Sequence, residues 1–255
     1  MTRNRKLTAT VAELAAPRTG VQAVRIKPPN MQYAVMRISN EEEGAPYVQN
    51  KFAARVLEAI AEKQAGIKPG KLPPKDFEAA WREATHVSDE GWYGIPATSF
   101  RNAMISACRL VDVKMTLAKL CLFIKADGYE TDRFGKTPLV RIYGEPKRTD
   151  FAVRNADGGA DIRPRPMWDS WWAEPTIKYD GDQFSLSDVV NLMARVGIQV
   201  AIGAGRHDSK MSAGMGWGTF TLTGPAKPTT PEKKADFHTP KRNVAMATVV
   251  SATPA

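Results

Sequence analysis

Cysteine and histidine are scarce in this chain. Its 255 residues include two cysteines, Cys108 and Cys121, and three histidines, His86, His207 and His238. Both cysteines lie in apolar surroundings, which indicates buried thiols of a reducing compartment rather than a disulfide framework. Neither cysteine has a nearby Cys or His partner, so the sequence predicts no metal site, and we expect no cofactor.

Long apolar runs and common catalytic motifs are also missing. No apolar run approaches the roughly 20 residues that a membrane-spanning helix requires, and residues 1–20 lack the apolar core of a secretory signal. We therefore expect a cytoplasmic protein with no membrane partner. The sequence holds neither a phosphate-loop lysine motif nor a nucleophile elbow, which favours a binding protein over an enzyme.

Positive charge is in excess. The chain has 36 Lys and Arg against 27 Asp and Glu, a formal net charge of +9. This excess predicts an anionic partner, and nucleic acid is favoured over a membrane because no basic helix with a broad apolar face stands out. Hydrophobic residues make up 43% of the chain, which is enough for a packed core.

The chain divides into three parts. Residues 1–20 are predicted to form a flexible basic arm, residues 21–222 a single domain, and residues 223–255, rich in proline and lysine, a flexible basic tail. Inside the domain, strand candidates at 21–27 and 32–38 precede a helical insertion over 51–85. A basic insertion over 127–166 interrupts the later part of the domain.

Strands and helices alternate from residue 95 onward. A helix that Thr98 or Ser99 can cap is followed by a predicted central strand at 117–125, whose side chains are continuously apolar. After the basic insertion come a strand at 175–179, a helix at 188–195 that Ser185 or Ser187 can cap, a glycine loop that Gly197 opens in the left-handed position, and a strand at 219–222. This order predicts an α+β fold with a ferredoxin-like (RRM-like) βαββαβ core.

The basic insertion predicts a long projecting β-hairpin or loop, because 40 residues without a clear core are unusual in a compact domain. Its cations alternate with aromatic residues, a pattern that suits phosphates and unstacked bases together. A solvated charged face is the alternative. The candidate nucleic-acid-binding residues in this segment are Arg133, Lys136, Arg154, Arg163 and Arg165. The tryptophans that follow, Trp168, Trp171 and Trp172, favour core or subunit interface over a cofactor site.

Glycines gather in residues 197–218, which we call the glycine loop. Successive loop amides can form a concave anion site, and cations beside them suit a polyanion. The alternative is a glycine-rich hairpin that only reverses the chain. The candidate binding residues of this loop are Gly203, Gly205, Arg206, His207, Ser209 and Lys210.

Two stretches resemble motifs of one family. Residues 95–102 are Ile-Pro-Ala-Thr-Ser-Phe-Arg-Asn, and residues 202–220 begin Ile-Gly-Ala-Gly-Arg and end Gly-Met-Gly-Trp-Gly-Thr-Phe. They resemble the RAMP superfamily of repeat-associated RNA-binding proteins, which includes the backbone subunit of CRISPR effector complexes. In that family the first helix often starts Ile-Pro-Gly-Ser-Ser-Leu-Arg/Lys-Gly, and a later loop runs Ile-Gly-Gly to Gly-aromatic-Gly-Arg-Phe. Both glycines of the helix motif are replaced here.

The resemblance implies a crRNA-binding protein of antiviral defence. Its partners would be single-stranded nucleic acid, with RNA favoured, copies of itself side by side along the strand, and other effector-complex subunits. Helix amides near Thr98 and Ser99 would hold backbone phosphates, while Arg101, Arg206 and Lys210 would add charge without reading sequence. The basic insertion would overlap the next copy.

Two other functions stay open. A single-stranded DNA-binding or annealing protein of recombination could use the same surface. A metal-independent endoribonuclease could use His207, beside two cations, as a general acid or base. A histidine inside a loop is more often a phosphate contact, so we assign no catalytic residue and expect no enzymatic activity.

Overall fold

The computed structural model describes residues 28–49, 51, 54–67, 75–132, 135–154, 160–209, 214–224 and 227–228. The predicted basic arm, the strand candidate at 21–27 and most of the predicted tail lie outside the described residues. The described chain is a mixed α+β fold with antiparallel sheets. Within these ranges, no helix has the length and apolar character needed to cross a membrane.

The described residues form five α-helices. They are α1 (Ala54–Gln64), α2 (Phe77–Glu83), α3 (Ala97–Ala107), α4 (Met115–Cys121) and α5 (Leu186–Arg195). A 3₁₀ turn at Cys108–Leu110 extends α3, and a π-helical turn at Val196–Val200 extends α5.

Thirteen strands are described, several of them only two residues long. They are β1 (Met31–Val35), β2 (Ile38–Ser39), β3 (Tyr47–Val48), β4 (Gly94–Pro96), β5 (Leu122–Lys125), β6 (Gly128–Asp132), β7 (Gly135–Tyr143), β8 (Lys147–Arg154), β9 (Ala160–Trp168), β10 (Trp172–Ala173), β11 (Thr176–Asp180), β12 (Thr221–Leu222) and β13 (Lys227–Pro228).

Three sheets organise these strands, and every pair is antiparallel. One sheet has the order β13-β1-β11-β5, and a second has the order β12-β2-β10-β7-β4, with β6 also paired to β7. The third is the small sheet β3-β9-β8. The segment between β1 and β3 thus contributes to all three sheets, and β3 is the strand nearest the candidate site.

The core lies between the helices α3 and α5 and the sheets. Phe100 and Met104 of α3 are fully buried with Val189 and Met193 of α5, at the helical spacing that the sequence predicts. The helix predicted at 188–195 is confirmed as α5, and Ser185 caps it in a reciprocal capping box with Asp188. For α5 the hydrophobic pattern therefore predicts both the helix and its buried face.

Two predictions about helix ends are wrong. No side chain caps α3, which begins directly after β4 with Pro96 in the cap position. Gly197 does not end α5 in the left-handed region, because the helix continues through the π-helical turn. At Gly197 the carbonyl of Phe220 takes the space that a Cβ would need, and Phe220 N donates to Gly197 O at 3.1 Å. This glycine permits close packing of β12 rather than a change of direction.

The strand predicted at 117–125 is also corrected. Residues 115–121 form α4, and only Leu122–Lys125 are extended. Ala118 and Cys121 are buried three residues apart, as on one helix face, whereas Leu120 is 75% exposed. Nor is β5 central, since it pairs only with β11 among the described strands. An apolar run without alternation did not distinguish these outcomes.

The basic insertion, predicted as one projecting β-hairpin or loop, forms two β-hairpins. Strands β6 and β7 form the first hairpin, and β8 and β9 form the second. Leu139 and Val140 of β7 are fully buried. The insertion therefore contributes apolar side chains to the protein core, although its composition predicts none. Trp168 and Trp171 are buried as predicted, and Trp172 stacks on Tyr143 with ring centroids 3.7 Å apart.

Candidate nucleic-acid interface

The two stretches that carry the motifs lie on the same cleft, which has a volume of about 410 Å³. Helix α3 contributes Ser99, Asn102 and Ser106 to its wall. The glycine loop contributes Gly203, Arg206 and Asp208, and residues at β3 and His86 also line the cleft. The cleft residues used below are Tyr47, Gln49, His86, Ser99, Asn102, Ser106, Gly203, Arg206 and Asp208.

Backbone hydrogen bonds fix the glycine loop beside β3. Ala204 N donates to Val48 O at 2.9 Å, and Gly218 N donates to Pro46 O at 2.9 Å. The loop begins inside the π-helical turn that extends α5, and such turns are frequent at functional sites. Backbone hydrogen bonds therefore fix this wall of the cleft in position.

The glycines of the loop are required by the protein's own packing. Gly205 has φ +69°, and a Cβ there would lie 2.5 Å from Cε3 of Trp217. Gly203 has φ +81°, and its Cβ would lie 2.5 Å from Val48 O. Both conformations favour glycine on steric grounds alone. Contact of these two glycines with a ligand stays a prediction.

Arg206 supplies positive charge to the cleft. The side chain is half-buried, and its Nη1 donates to Gly203 O at 3.1 Å. A guanidinium carries five N–H donors, and no other hydrogen bond to it occurs among the described residues. Most of its donor capacity is therefore open to an anion.

Asp208 ties the glycine loop to α3. Its Oδ1 accepts from Nη2 of Arg109 at 2.7 Å, and its Oδ2 accepts from the hydroxyl of Ser106. Burial alone would raise the pKa of Asp208, but the hydrogen bonds from Ser106 and Arg109, with the charges of Arg109 and Arg206, lower it below its ordinary value. Asp208 therefore stays ionised and holds the two walls of the cleft together. The sequence offered no signal for this contact.

His86, which also lines the cleft, belongs to a buried polar cluster. Its Nδ1 lies 2.6 Å from Oε2 of Glu130, and Lys51 Nζ lies 2.6 Å from Oε1 of the same carboxylate. Gln49 holds the His86 backbone, since Gln49 Oε1 accepts from His86 N at 2.8 Å. Sequence reasoning missed this cluster, because Glu130 belongs to a hairpin that only the fold brings to His86.

The hairpin β8–β9 lies on the other edge of β3. Gln49 N donates to Pro166 O at 3.1 Å, whereas Val48 O accepts from the loop residue Ala204. The carbonyl and the N–H of one peptide point in opposite directions, so β9 and the glycine loop flank β3. Arg165 and Arg206 therefore lie on segments that flank β3 on opposite edges.

Arg165 on β9 is a half-buried cation without a counterion. No ion pair or hydrogen bond joins its guanidinium to another described residue. Burial and the neighbouring charge of Arg163 both lower the pKa of Arg165. Arg163 itself has a carboxylate partner, with Nε 3.3 Å from Oδ2 of Asp161. An anion at Arg165 would satisfy a charge that the protein leaves uncompensated.

Aromatic rings join the hairpin to the glycine loop. Phe151 of β8 lies directly opposite Arg163 in the ladder, and its ring centroid is 4.7 Å from that of Trp217. Trp217 in turn covers Gly205. Cations and partly exposed rings are thus brought together here, as the alternation in the sequence predicts.

Other predicted residues lie elsewhere. Arg101 faces α4 and β5, where Nε donates to Leu122 O at 3.0 Å and Nη2 donates to Lys119 O at 2.6 Å. Thr98 is exposed at the start of α3 and does not line the cleft. Lys136 lies on the other hairpin, with Nζ 4.5 Å from the ring centroid of Tyr129.

The remaining candidates complete the set. His207 is exposed and does not line the cleft, and Ser209 is half-buried at the end of the described part of the loop. Arg133, Lys210 and the side chain of Arg154 lie outside the described residues. Within the described ranges, no group of three or more His, Cys, Asp and Glu side chains could hold a metal ion.

No family model matches the chain, and no curated protein matches it.

Proposed function

We propose that this protein binds single-stranded nucleic acid, with RNA favoured, along the cleft between α3 and the glycine loop, without cleaving it. The observation that carries the proposal is that Ser99 and Asn102 of α3 line the same cleft as Gly203 and Arg206. Two segments far apart in sequence, each with the composition of a phosphate site, meet at one surface.

The charges around the cleft support a polyanion as ligand. Arg206 retains open donors on one side of β3, and on the other side Arg165 has no counterion among the described residues. Phe151, opposite Arg163 in the β8–β9 ladder, and Trp217, against Gly205, contact each other and are only partly buried. Cations beside accessible rings suit unstacked bases, whereas a duplex hides its ring faces. A single strand is therefore the better fit.

The topology supports a RAMP-like core. In chain order, β1, α3, β5, β11, α5 and β13 give strand, helix, strand, strand, helix, strand. The sheet order β13-β1-β11-β5 with antiparallel pairs matches the order 4-1-3-2 of a ferredoxin-like βαββαβ unit. The last strand of this match is β13, which belongs to the predicted tail, whereas β12, at the strand expected over 219–222, pairs with β2 in the second sheet. We therefore retain the backbone subunit of CRISPR effector complexes as the proposed role, with copies of the chain side by side on the strand and other effector-complex subunits as partners.

The two other functions are less well supported. His207, the general acid or base of the endoribonuclease hypothesis, is exposed and outside the cleft wall. A DNA-binding role would use the same cations, so it differs from the proposal only in the sugar that it selects.

The test replaces Arg206 with Ala and measures fluorescence anisotropy of a labelled oligouridine across a salt series. Each lost phosphate contact should reduce the slope of log K against log salt by about 0.7 for a single strand. Arg195→Ala is the matched control, because Arg195 is exposed on α5 and outside the cleft. An Arg206→Ala protein with unchanged melting temperature and unchanged slope would remove the cleft from the interface.

A further inference from the structure

His86 presents a hydrogen-bond acceptor to the cleft. The residue is 9% exposed and lines the cleft that also contains Arg206. Nδ1 is occupied by the contact with Glu130 Oε2 at 2.6 Å. No described residue hydrogen-bonds to Nε2. The second ring nitrogen is therefore the one available to a ligand.

Glu130 determines which nitrogen carries the proton. Burial alone would raise the pKa of Glu130, but hydrogen bonds from His86 and Lys51 lower it, so the group is a carboxylate at neutral pH. A carboxylate only accepts hydrogen bonds, so Nδ1 must be the N–H donor. In the neutral imidazole, Nε2 is then an unprotonated lone pair.

An acceptor in this position selects its ligand. Phosphate oxygens are also acceptors, so they cannot bond to Nε2 and would be held by Arg206 instead. Nε2 needs a donor from the strand. The 2′-hydroxyl is the donor that every ribonucleotide carries and every deoxyribonucleotide lacks, whereas donors on the bases change with sequence.

We infer that His86 Nε2 accepts a hydrogen bond from a ribose 2′-hydroxyl and so makes the cleft select RNA over DNA. Glu130 is a positioning residue that fixes the tautomer, and Lys51 holds Glu130 in turn through the 2.6 Å ion pair. The inference rests on the proposed function, because it requires a strand in this cleft.

The experiment compares four labelled 20-mers of uridine at pH 8, with ribose, 2′-deoxyribose, 2′-fluoro and 2′-O-methyl sugars. The 2′-fluoro strand keeps an RNA-like sugar pucker but has no donor. Wild-type protein should bind the ribose strand about 2- to 10-fold more tightly than the 2′-fluoro and deoxy strands, the range that one hydrogen bond supplies. The 2′-O-methyl strand should also bind weakly.

Variants assign the effect to His86. His86→Phe removes the acceptor and should weaken ribose binding to the deoxy level while deoxy binding stays unchanged. Glu130→Gln keeps the side-chain shape but no longer fixes which ring nitrogen of His86 carries the proton. The preference for the ribose strand over the deoxy strand should therefore fall. Glu83→Gln, at an exposed position of α2, is the matched control and should keep the full preference.

The outcomes separate the two proposals. Equal binding of ribose and 2′-fluoro strands by the wild type, which needs no variant to fold, would overturn the inference and leave the proposed function standing. A ribose preference that survives His86→Phe, or Glu130→Gln if His86→Phe does not fold, would also overturn it. Failure to bind any of the four strands would overturn the proposed function itself.

Discussion

Replacing Arg165 with methionine should change stability and binding in opposite directions. The guanidinium is half-buried beside the charge of Arg163, and no described residue supplies a counterion. Methionine keeps an unbranched apolar stem of similar reach and removes the charge. The folded state then no longer holds an uncompensated cation, so the free energy of unfolding should rise.

The magnitude follows from partial burial. A fully buried unpaired charge would cost several kcal/mol, but water reaches this side chain, so we expect a gain of about 1 kcal/mol. For a chain of this size that corresponds to a rise in melting temperature of about 2–4 °C. If Arg165 holds a phosphate, the same substitution should reduce the salt slope of oligouridine binding by about 0.7.

Arg163→Met is the internal control for this prediction. Arg163 lies on the same face of β9 but has Asp161 as partner at 3.3 Å, so losing that pair offsets the relief of repulsion and the net change should be near zero. Differential scanning calorimetry measures stability, and anisotropy measures binding. A neutral or destabilising Arg165→Met would refute the argument that the charge is uncompensated, and stabilisation with an unchanged slope would refute its contact with the strand.

Two further substitutions test the loop itself. Asp208→Asn should lower the free energy of unfolding at pH 7 by about 0.5–1 kcal/mol, a small value because the Asp208 side chain is 36% exposed. Folding lowers the pKa of Asp208. The difference in free energy of unfolding between wild type and Asp208→Asn should therefore persist at pH values above the ordinary Asp pKa of about 3.9. It should vanish as the pH falls through the pKa that Asp208 has in the folded protein. Denaturant melts from pH 3 to 7 check this, and a pH-independent difference would contradict it. Gly205→Val should destabilise the fold by about 2–3 kcal/mol, because φ is +69° and Trp217 occupies the space. A melting curve like that of the wild type would show that Trp217 can move.

Local pattern predicts local structure well in this chain. Ser185 and the apolar spacing of α5 lie within one stretch of sequence, and both the helix and its cap are as predicted. Residues 115–121 are the counterexample, where an unbroken apolar run predicts a strand and the chain forms α4. Whether this segment forms a helix or a strand depends on the neighbouring elements that bury it, and a single sequence does not show which elements those are.

Local sequence pattern also predicted part of the candidate site. The motif residues Ser99 and Arg206 lie in the cleft, since each motif marks a local backbone shape. Long-range partners were not predictable. The contacts of Asp208 with Ser106 and of Glu130 with His86 join residues 102 and 44 positions apart. Strand β3, which lies between the two basic regions, is two residues long and has no periodic signal.

Unfavourable features gather around β3. Ala201, in the glycine loop, has φ 63° and ψ 176°, a conformation almost restricted to glycine that costs about 1–3 kcal/mol. Among the described residues, none compensates the charge of Arg165 on the other edge of β3, and none hydrogen-bonds to Nε2 of His86. Strained or unpaired groups persist in a fold only where the surrounding contacts hold them in place, and in proteins they are concentrated at functional sites. Of these three residues His86 lines the cleft, whereas Ala201 directly precedes the cleft residue Ile202 and Arg165 lies on β9 beside β3. The unfavourable features therefore favour the same region of the molecule as the two motif stretches do.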